Sequence, residues 1–503
     1  MLGMHMGCVP APSLAEDAAR KTNSRVTSDT EDWLQLINRA SIVANIESGL
    51  LDRETGRKLA NALNDMRRSS DLTGAKRSEL YITFEPEMLK RAGTDASVIH
   101  IGRSSQDILA TANAGLNLER LAKFIGAVTE VRTALLDLAD REKDAVVPSY
   151  TNGVQAQPTL FAHYLLGHIA VFGRDSDRAF ECIDRFDRCP MGSAVLNGTG
   201  WPLNVERMAE LLGFAAPAAN AFDAGQCSGN DLPLEISQII TSAMLHVNAF
   251  IADFMVQYAQ PRPWIRIQDK NGVYHSSAMP QKRNPGLIND CRRDAGLVIG
   301  EAQSVMLRMQ NLALGMADVR DVRVMQSLCD DACVTLRTFA GIVRSLAVDH
   351  DRALEELNSD WTCTQEIADR LVRLCGVDFR SGHGFASHLV SWAREKGVTP
   401  PKLSYQDASD VWAQFRTTSH RAALPERFPL SEKDLKGAIS PIGILEARVT
   451  PGSANPHLIA QSIEGTRLSL TETTRKVEIL LHKRAATAEK LDCELALLIE
   501  RNS

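Results

Sequence analysis

The chain has 503 residues, of which 44% are hydrophobic, 23% charged and only 5% aromatic, and its formal net charge is −6. This composition is ordinary for a soluble globular protein with a core of Leu, Ala, Ile and Val, which favours helix packing over a β-sandwich. The negative balance argues against nucleic acid or an acidic membrane as partner, but it leaves room for a locally basic pocket.

In chain order, the N-terminus MLGMHMGCVPAPSLAEDAAR has no basic start followed by a clean apolar run, so it does not read as a secretory signal. Roughly the first 25 residues are expected to be disordered. Helical spacing then dominates. From Thr30 to about Arg68, Trp33, Leu34, Leu36, Ile37, Ile42, Ile46, Leu50 and Leu51 mostly recur every three or four residues. A long helical pattern runs from Gln106 to about Arg141, and others cover about 158–186, 231–260, 286–314 and 322–349. Helices of this length tend to be apolar on two faces, a problem that bundles and oligomers solve. Shorter helices are predicted over 363–375, 382–396 and 405–417, and a last one over about 456–501. The chain therefore reads as all-α in three parts: an N-terminal helical region (1–101), a central long-helix bundle (102–351) and a smaller helical region (352–503). No apolar run is expected to span a membrane, and the expected location is cytoplasmic. The 10 cysteines include no CxxC pair. Cys329 and Cys333 are spaced i, i+4 but lack a histidine or second pair to complete a zinc set, so they read as reduced, buried thiols and no metal is expected.

Three irregular segments interrupt the helical plan. HIGRSSQD (100–107) sets Arg103 and two hydroxyls just before a long helix, where backbone N–H groups and the helix dipole favour anions. Its plain alternative is an N-cap by Ser104 or Ser105. YTNGVQAQP (150–158) precedes another long helix and offers Thr151, Asn152, Gln155 and Gln157. Its plain alternative is a polar Asn-Gly turn. HSSAMPQKRNP (275–285) places two serines, a methionine, a lysine and an asparagine between prolines that forbid regular structure. A bland loop needs none of that cargo.

Together these segments resemble the aspartase/fumarase superfamily. SSAMPQKRNP is similar to that superfamily's signature loop. HIGRSSQD, YTNGVQAQP and the Gly-rich PMGSAVLNGTGWPLN resemble segments of its argininosuccinate lyase branch, in the same order and at similar separations, and the resemblance spans roughly Trp33 to Arg484. It implies a three-part, nearly all-helical homotetramer with a long helical core. Each active site would gather the three loops from three subunits, with a small dicarboxylate or aminocarboxylate as the partner molecule. The implied chemistry is β-elimination from a succinyl group, usually releasing fumarate, without an organic cofactor. Ser276 matches the family's base. Lys282 and Asn284 match the residues that grip the carboxylate gaining charge, and Ser277 and Met279 match pocket-lining positions. Arg103, Ser104, Ser105, Gln106 and Thr151 are the candidate carboxylate shell. Gly272 and the run 268–276 are expected to let the loop close over substrate.

The sequence also departs from the branch. A His–Glu pair of the family falls at Asn152 and Asn289, and Gln106 replaces an asparagine. A neutral amide pair can hydrogen-bond but cannot titrate near neutral pH as histidine does. In GMADVRDVRVMQ, positions that help hold argininosuccinate fall at Gly315, Arg320 and Arg323. The glycine before the serines is His275, read as a surface residue. The resemblance therefore points to a lyase of an N-substituted aspartate, similar to ethylenediamine-disuccinate lyase. The alternatives are argininosuccinate lyase, a carboxymuconate-type cycloisomerase and a non-catalytic structural paralog.

Overall fold

The computed structural model describes residues 28–72, 76–268, 272–314, 322–418 and 424–500. Three apolar cores organise it. The first begins with α1 (Thr30–Glu47), α2 (Arg53–Ser70) and α3 (Tyr81–Ala92). The sequence predicts one helical run here. The structure breaks it at Ser48–Asp52, where Gly49 adopts φ +71° and Asp52 caps the next helix by accepting from Thr55 N–H. Trp33, Ile37, Leu63, Tyr81 and Phe84 fill this core.

The longest central helix, α4 (Ser105–Arg141), passes from that core into the second, burying Ile108 and Leu116 in one and Phe124, Val131 and Leu135 in the other. The hairpin of β1 (Val146–Thr151) and β2 (Val154–Leu160) follows, then α5 (Phe161–Phe186). Residues 158–160, expected to be helical, are the end of a strand because Val146–Thr151 supplies a ladder partner. Three pieces lead on: β3 (Arg188–Cys189), α6 (Val205–Leu212), and β4 (Ala216–Pro217), which pairs in parallel with β3.

The second core is completed by α7 (Ser228–Tyr258), α8 (Gly286–Met309) and α9 (Val322–Arg344). Around them lie β5 (Ile265–Ile267), the short hairpin β6 (Tyr274–His275) and β7 (Arg283–Asn284), and β8 (Leu346–Val348) paired with β5. Against the sequence expectation, the helix spanning Asp223–Tyr258 is long and apolar enough to cross a membrane by length and composition. It packs instead into the bundle through Ile236, Ile240, Met244, Val247 and Phe250. Cys329 and Cys333 lie in the same core, where burial pushes both thiols up to about 12, as the reading of inert thiols requires.

α10 (His350–Asn358) packs against β1, with Ala353 in the second core. The third core gathers Trp361, Phe385, Trp412 and Phe428 around α11 (Thr364–Cys375), α12 (Phe379–Lys396), α13 (Tyr405–Thr418), α14 (Glu432–Ile439) and α15 (Pro441–Glu446). The final helix, α16 (Pro456–Glu500), leaves this core. It packs along the other two, with Leu470 and Val477 in the second and Leu491 and Leu495 in the first. Among the described residues the molecule is all-α apart from four two-stranded pairings.

Candidate active site

The first segment ends on the head of α4. Ser104 is the N-cap: its Oγ accepts from Gln106 N–H at 3.2 Å, and Asp107 returns a carboxylate to Ser104 N–H at 2.8 Å. The second oxygen of Asp107 accepts from Gly192 and Ala194 N–H at 3.2 and 3.1 Å. One fully buried carboxylate thus ties the Gly-rich 190–200 stretch to the helix start, although burial pushes its pKa up. Ser104, Ser105 and Gln106 remain half-buried beside it. Arg103, expected in the carboxylate shell, turns inward. The residue is 7% exposed, and its guanidinium donates to Ser41 Oγ, Asn38 Oδ1 and Tyr81 OH at 2.9, 3.1 and 2.7 Å.

The second segment is the β1–β2 hairpin. Asn152 (φ +52°) and Gly153 (φ +75°) form its two-residue loop between the paired Thr151 and Val154, the geometry of a type I′ turn. The Asn-Gly turn and the polar cargo are therefore compatible, with Thr151 and Asn152 exposed at the tip. Below them, Gln155 donates to Glu356 O at 3.3 Å and Gln157 bonds Gln365, fastening the hairpin to α10 and α11.

The third segment is a hairpin as well, which sequence reasoning missed. Tyr274 pairs with Asn284 and His275 with Arg283. The signal was present in the aromatic and glycine flanks. A side chain at Gly286 would meet the Tyr274 ring at 2.9 Å, and Tyr258 OH donates to Arg283 O at 3.2 Å. The loop folds over Ser276, whose Oγ accepts from Met279 N–H at 3.2 Å and Ala278 N–H at 3.4 Å. Ser276 N–H reaches Lys282 O at 3.3 Å, and Asn284 Nδ2 donates to Tyr274 O at 3.3 Å. Ser276, Lys282 and Asn284 therefore share one hairpin, with Ser276 and Asn284 half-buried and Lys282 exposed. Ser277 and Met279 are exposed, and so is His275, as expected of a surface residue. Asn289 is half-buried in the first turn of α8. Arg323 is exposed at the start of α9, whereas Gly315, Arg320 and residues 269–271 of the expected closing run lie outside the described residues.

Among the described residues, no hydrogen bond joins any two of the three segments. Each is built on its own support: the first on the N-terminal core, the second on α10 and α11, the third between α7 and α8.

The family model described as "Lyase" matches residues 16–300, and that of the argininosuccinate lyase C-terminal region matches 361–446. The argininosuccinate lyase of Pelotomaculum thermopropionicum is 28% identical over 434 residues, 85% of this chain and 90% of its own length. That of Clostridium perfringens is 25% identical, covering 92% of this chain and 97% of its own. Among solved structures, EDDS lyase in complex with formate superposes with a TM-score of 0.82 at 23% identity, over 94% of this chain and 92% of its own. A class II fumarase from Schistosoma mansoni gives 0.64 at 14% identity, over 81% and 89%; these two likenesses show the fold. With the first family model covering more than half of its length, the chain belongs to the aspartase/fumarase superfamily of lyases, in the argininosuccinate lyase-like branch, whose chemistry is carbon–nitrogen cleavage with release of fumarate.

Proposed function

We propose that this chain releases fumarate from an N-substituted aspartate whose amine is not arginine, with Ser276 as the base. The observation that carries the reading is the pair of backbone N–H groups aimed at Ser276 Oγ. A serine hydroxyl is a poor base, and donors that stabilise its alkoxide lower the cost of deprotonating it. The alkoxide takes the proton from the carbon beside one carboxylate. That carboxylate gains charge as an aci-carboxylate, and Lys282 and Asn284 on the same hairpin supply preorganised countercharge and a donor. Collapse of this intermediate forms the double bond, breaks the C–N bond and releases the amine with a proton from solvent or a nearby acid. Ser104, Ser105, Gln106 and Thr151 serve the second carboxylate, and Ser277 and Met279 line the pocket.

The leaving group is argued from Asn152, Asn289 and Gln106. Two amides at the His–Glu positions supply hydrogen bonds without a titrating proton, which fits a rebuilt amine side. Argininosuccinate is the second reading, favoured by the names of the relatives at 28% identity. The same proposal makes the active molecule a homotetramer in which the three separated segments meet between subunits. Its support is the apolar surface on the bundle helices, where Leu245, Leu297, Leu307 and Val334 are 55–63% exposed in one chain.

The test is ultraviolet detection of fumarate from argininosuccinate, adenylosuccinate, aspartate and several N-alkyl aspartates, including ethylenediamine disuccinate, with Ser276→Ala run alongside. Fumarate from an N-alkyl aspartate, absent in the variant, is the expected result. Fumarate from argininosuccinate alone gives the second reading, and equal activity in the variant removes Ser276 as base.

A further inference from the structure

Residues 100–103 form a tight turn. Ile101 lies at φ −53°, ψ 126°, Gly102 at φ +67°, and Arg103 N–H donates to His100 O at 3.1 Å. These are the angles of a type II turn, which needs glycine at its third position. The turn immediately precedes Ser104, so its conformation sets how the chain enters the N-cap of α4.

The side chains at both ends of this turn are fastened to two residues of α3. Tyr81 and Glu85 are spaced i, i+4 and so share one face of that helix. His100 Nδ1 lies 2.9 Å from Glu85 Oε1, Tyr81 OH donates to the same oxygen at 2.9 Å, and Arg103 Nη2 donates to Tyr81 OH at 2.7 Å. The Tyr81 ring also stacks on His100, with centroids 5.8 Å apart, and carries the Arg103 guanidinium 5.6 Å from its centre. Tyr81 is 1% exposed, and burial pushes its phenol well above the ordinary range, so it stays an O–H donor. Burial works against the Glu85 carboxylate, yet the hydrogen bonds from His100 and Tyr81 hold it below its usual value.

We propose that Tyr81 and Glu85 are positioning residues: they staple the 100–103 turn and thereby aim the Ser104, Ser105 and Gln106 donors at the substrate carboxylate. The aim rests on the elimination reading above; the staple does not. Arg103 then acts as the link between Tyr81 and the turn, which explains why its guanidinium faces away from solvent in a segment expected to bind an anion.

The test compares the full-length wild type with Tyr81→Phe, Glu85→Ala and Glu85→Gln. Tyr81→Phe removes one oxygen and keeps the packed ring. Glu85→Gln keeps an acceptor for both neighbours. Amide exchange over 100–107, which needs no substrate, is expected to rise about tenfold in Tyr81→Phe and Glu85→Ala while the bundle helices stay protected. Fumarate Kd and substrate KM are expected to rise about tenfold with kcat changed less than about threefold, and Glu85→Gln to recover most of the loss. Unchanged exchange at 100–107 overturns the staple. Faster exchange with unchanged KM and fumarate Kd overturns the positioning role and leaves a purely structural contact. Wild-type protein that makes fumarate from no N-substituted aspartate overturns the elimination reading, and with it the aim, while exchange still decides the staple.

Discussion

Residues 100–107 are bonded outward, to Asn38, Ser41, Tyr81 and the 190–194 turn, and Asp107 at their end is fully buried. The hairpin 274–284 spends its bonds mostly on itself: Ser276 with Ala278, Met279 and Lys282, and Asn284 with Tyr274, with Tyr258 its outside tie. The two segments have similar length and similarly polar sequences. What separates them is whether neighbouring core elements supply partners. On the proposed reading, a group that meets a fixed carboxylate gains from a prepaid, rigid setting, whereas a loop that carries the base and admits substrate needs to move as a unit.

The largest expected effect sets activity against stability. Ser276→Ala should lower fumarate release by about 10³-fold or more, since general-base removal alone costs about 10²–10⁴, with thermal unfolding unchanged because the hydroxyl serves only its own hairpin. Asp107→Ala should do the reverse first. It leaves Ser104, Gly192 and Ala194 N–H without their acceptor in a buried place, an expected loss of about 3 kcal/mol by urea denaturation. Equal destabilisation by the two substitutions would erase the distinction between the segments.

A smaller step probes the turn between them and the core. Gly102 sits at φ +67°, and an added Cβ would stand 2.8 Å from Leu203 Cδ1 in the Gly-rich stretch. Gly102→Ala should therefore cost about 1–2 kcal/mol, part from the left-handed backbone and part from displacing Leu203. Exchange should rise at 100–107 and 190–204 together. A change confined to one of them would show that the two stretches are not coupled through this contact.

Helix periodicity made α4, α5, α7 and α16 legible, because a 3.6-residue repeat is written into each segment alone. The hairpins were not legible from the same residues, since a strand exists only when a distant partner is present: Val154–Leu160 needs Val146–Thr151, and Tyr274–His275 needs Arg283–Asn284. The cargo of the candidate site was visible as residue types at fixed offsets. Its orientation was not. Arg103 looked like an anion ligand because guanidinium groups usually are, and only Asn38, Ser41 and Tyr81, remote in sequence, turn it inward. Asp107 sits in the first turn of α4, and nothing in the local sequence shows that it also bonds a stretch some eighty-five residues on.

The finest test concerns the hydrogen bond that, among the described residues, ties the hairpin to α7. Tyr258 OH donates to Arg283 O at 3.2 Å from the end of α7, and burial keeps the phenol protonated. Removing a single half-exposed hydrogen bond should change global stability by less than about 1 kcal/mol. Its effect on the loop should be out of proportion, because the β6–β7 ladder has only the pairs 274–284 and 275–283 to hold it. Tyr258→Phe is expected to raise amide exchange over 274–284 several-fold and to raise KM more than it lowers kcat, while exchange at 100–107 stays put. If kcat falls and KM holds, the hairpin is set before substrate arrives, and the contrast between a fixed binding segment and a movable catalytic one gives way to two rigid halves.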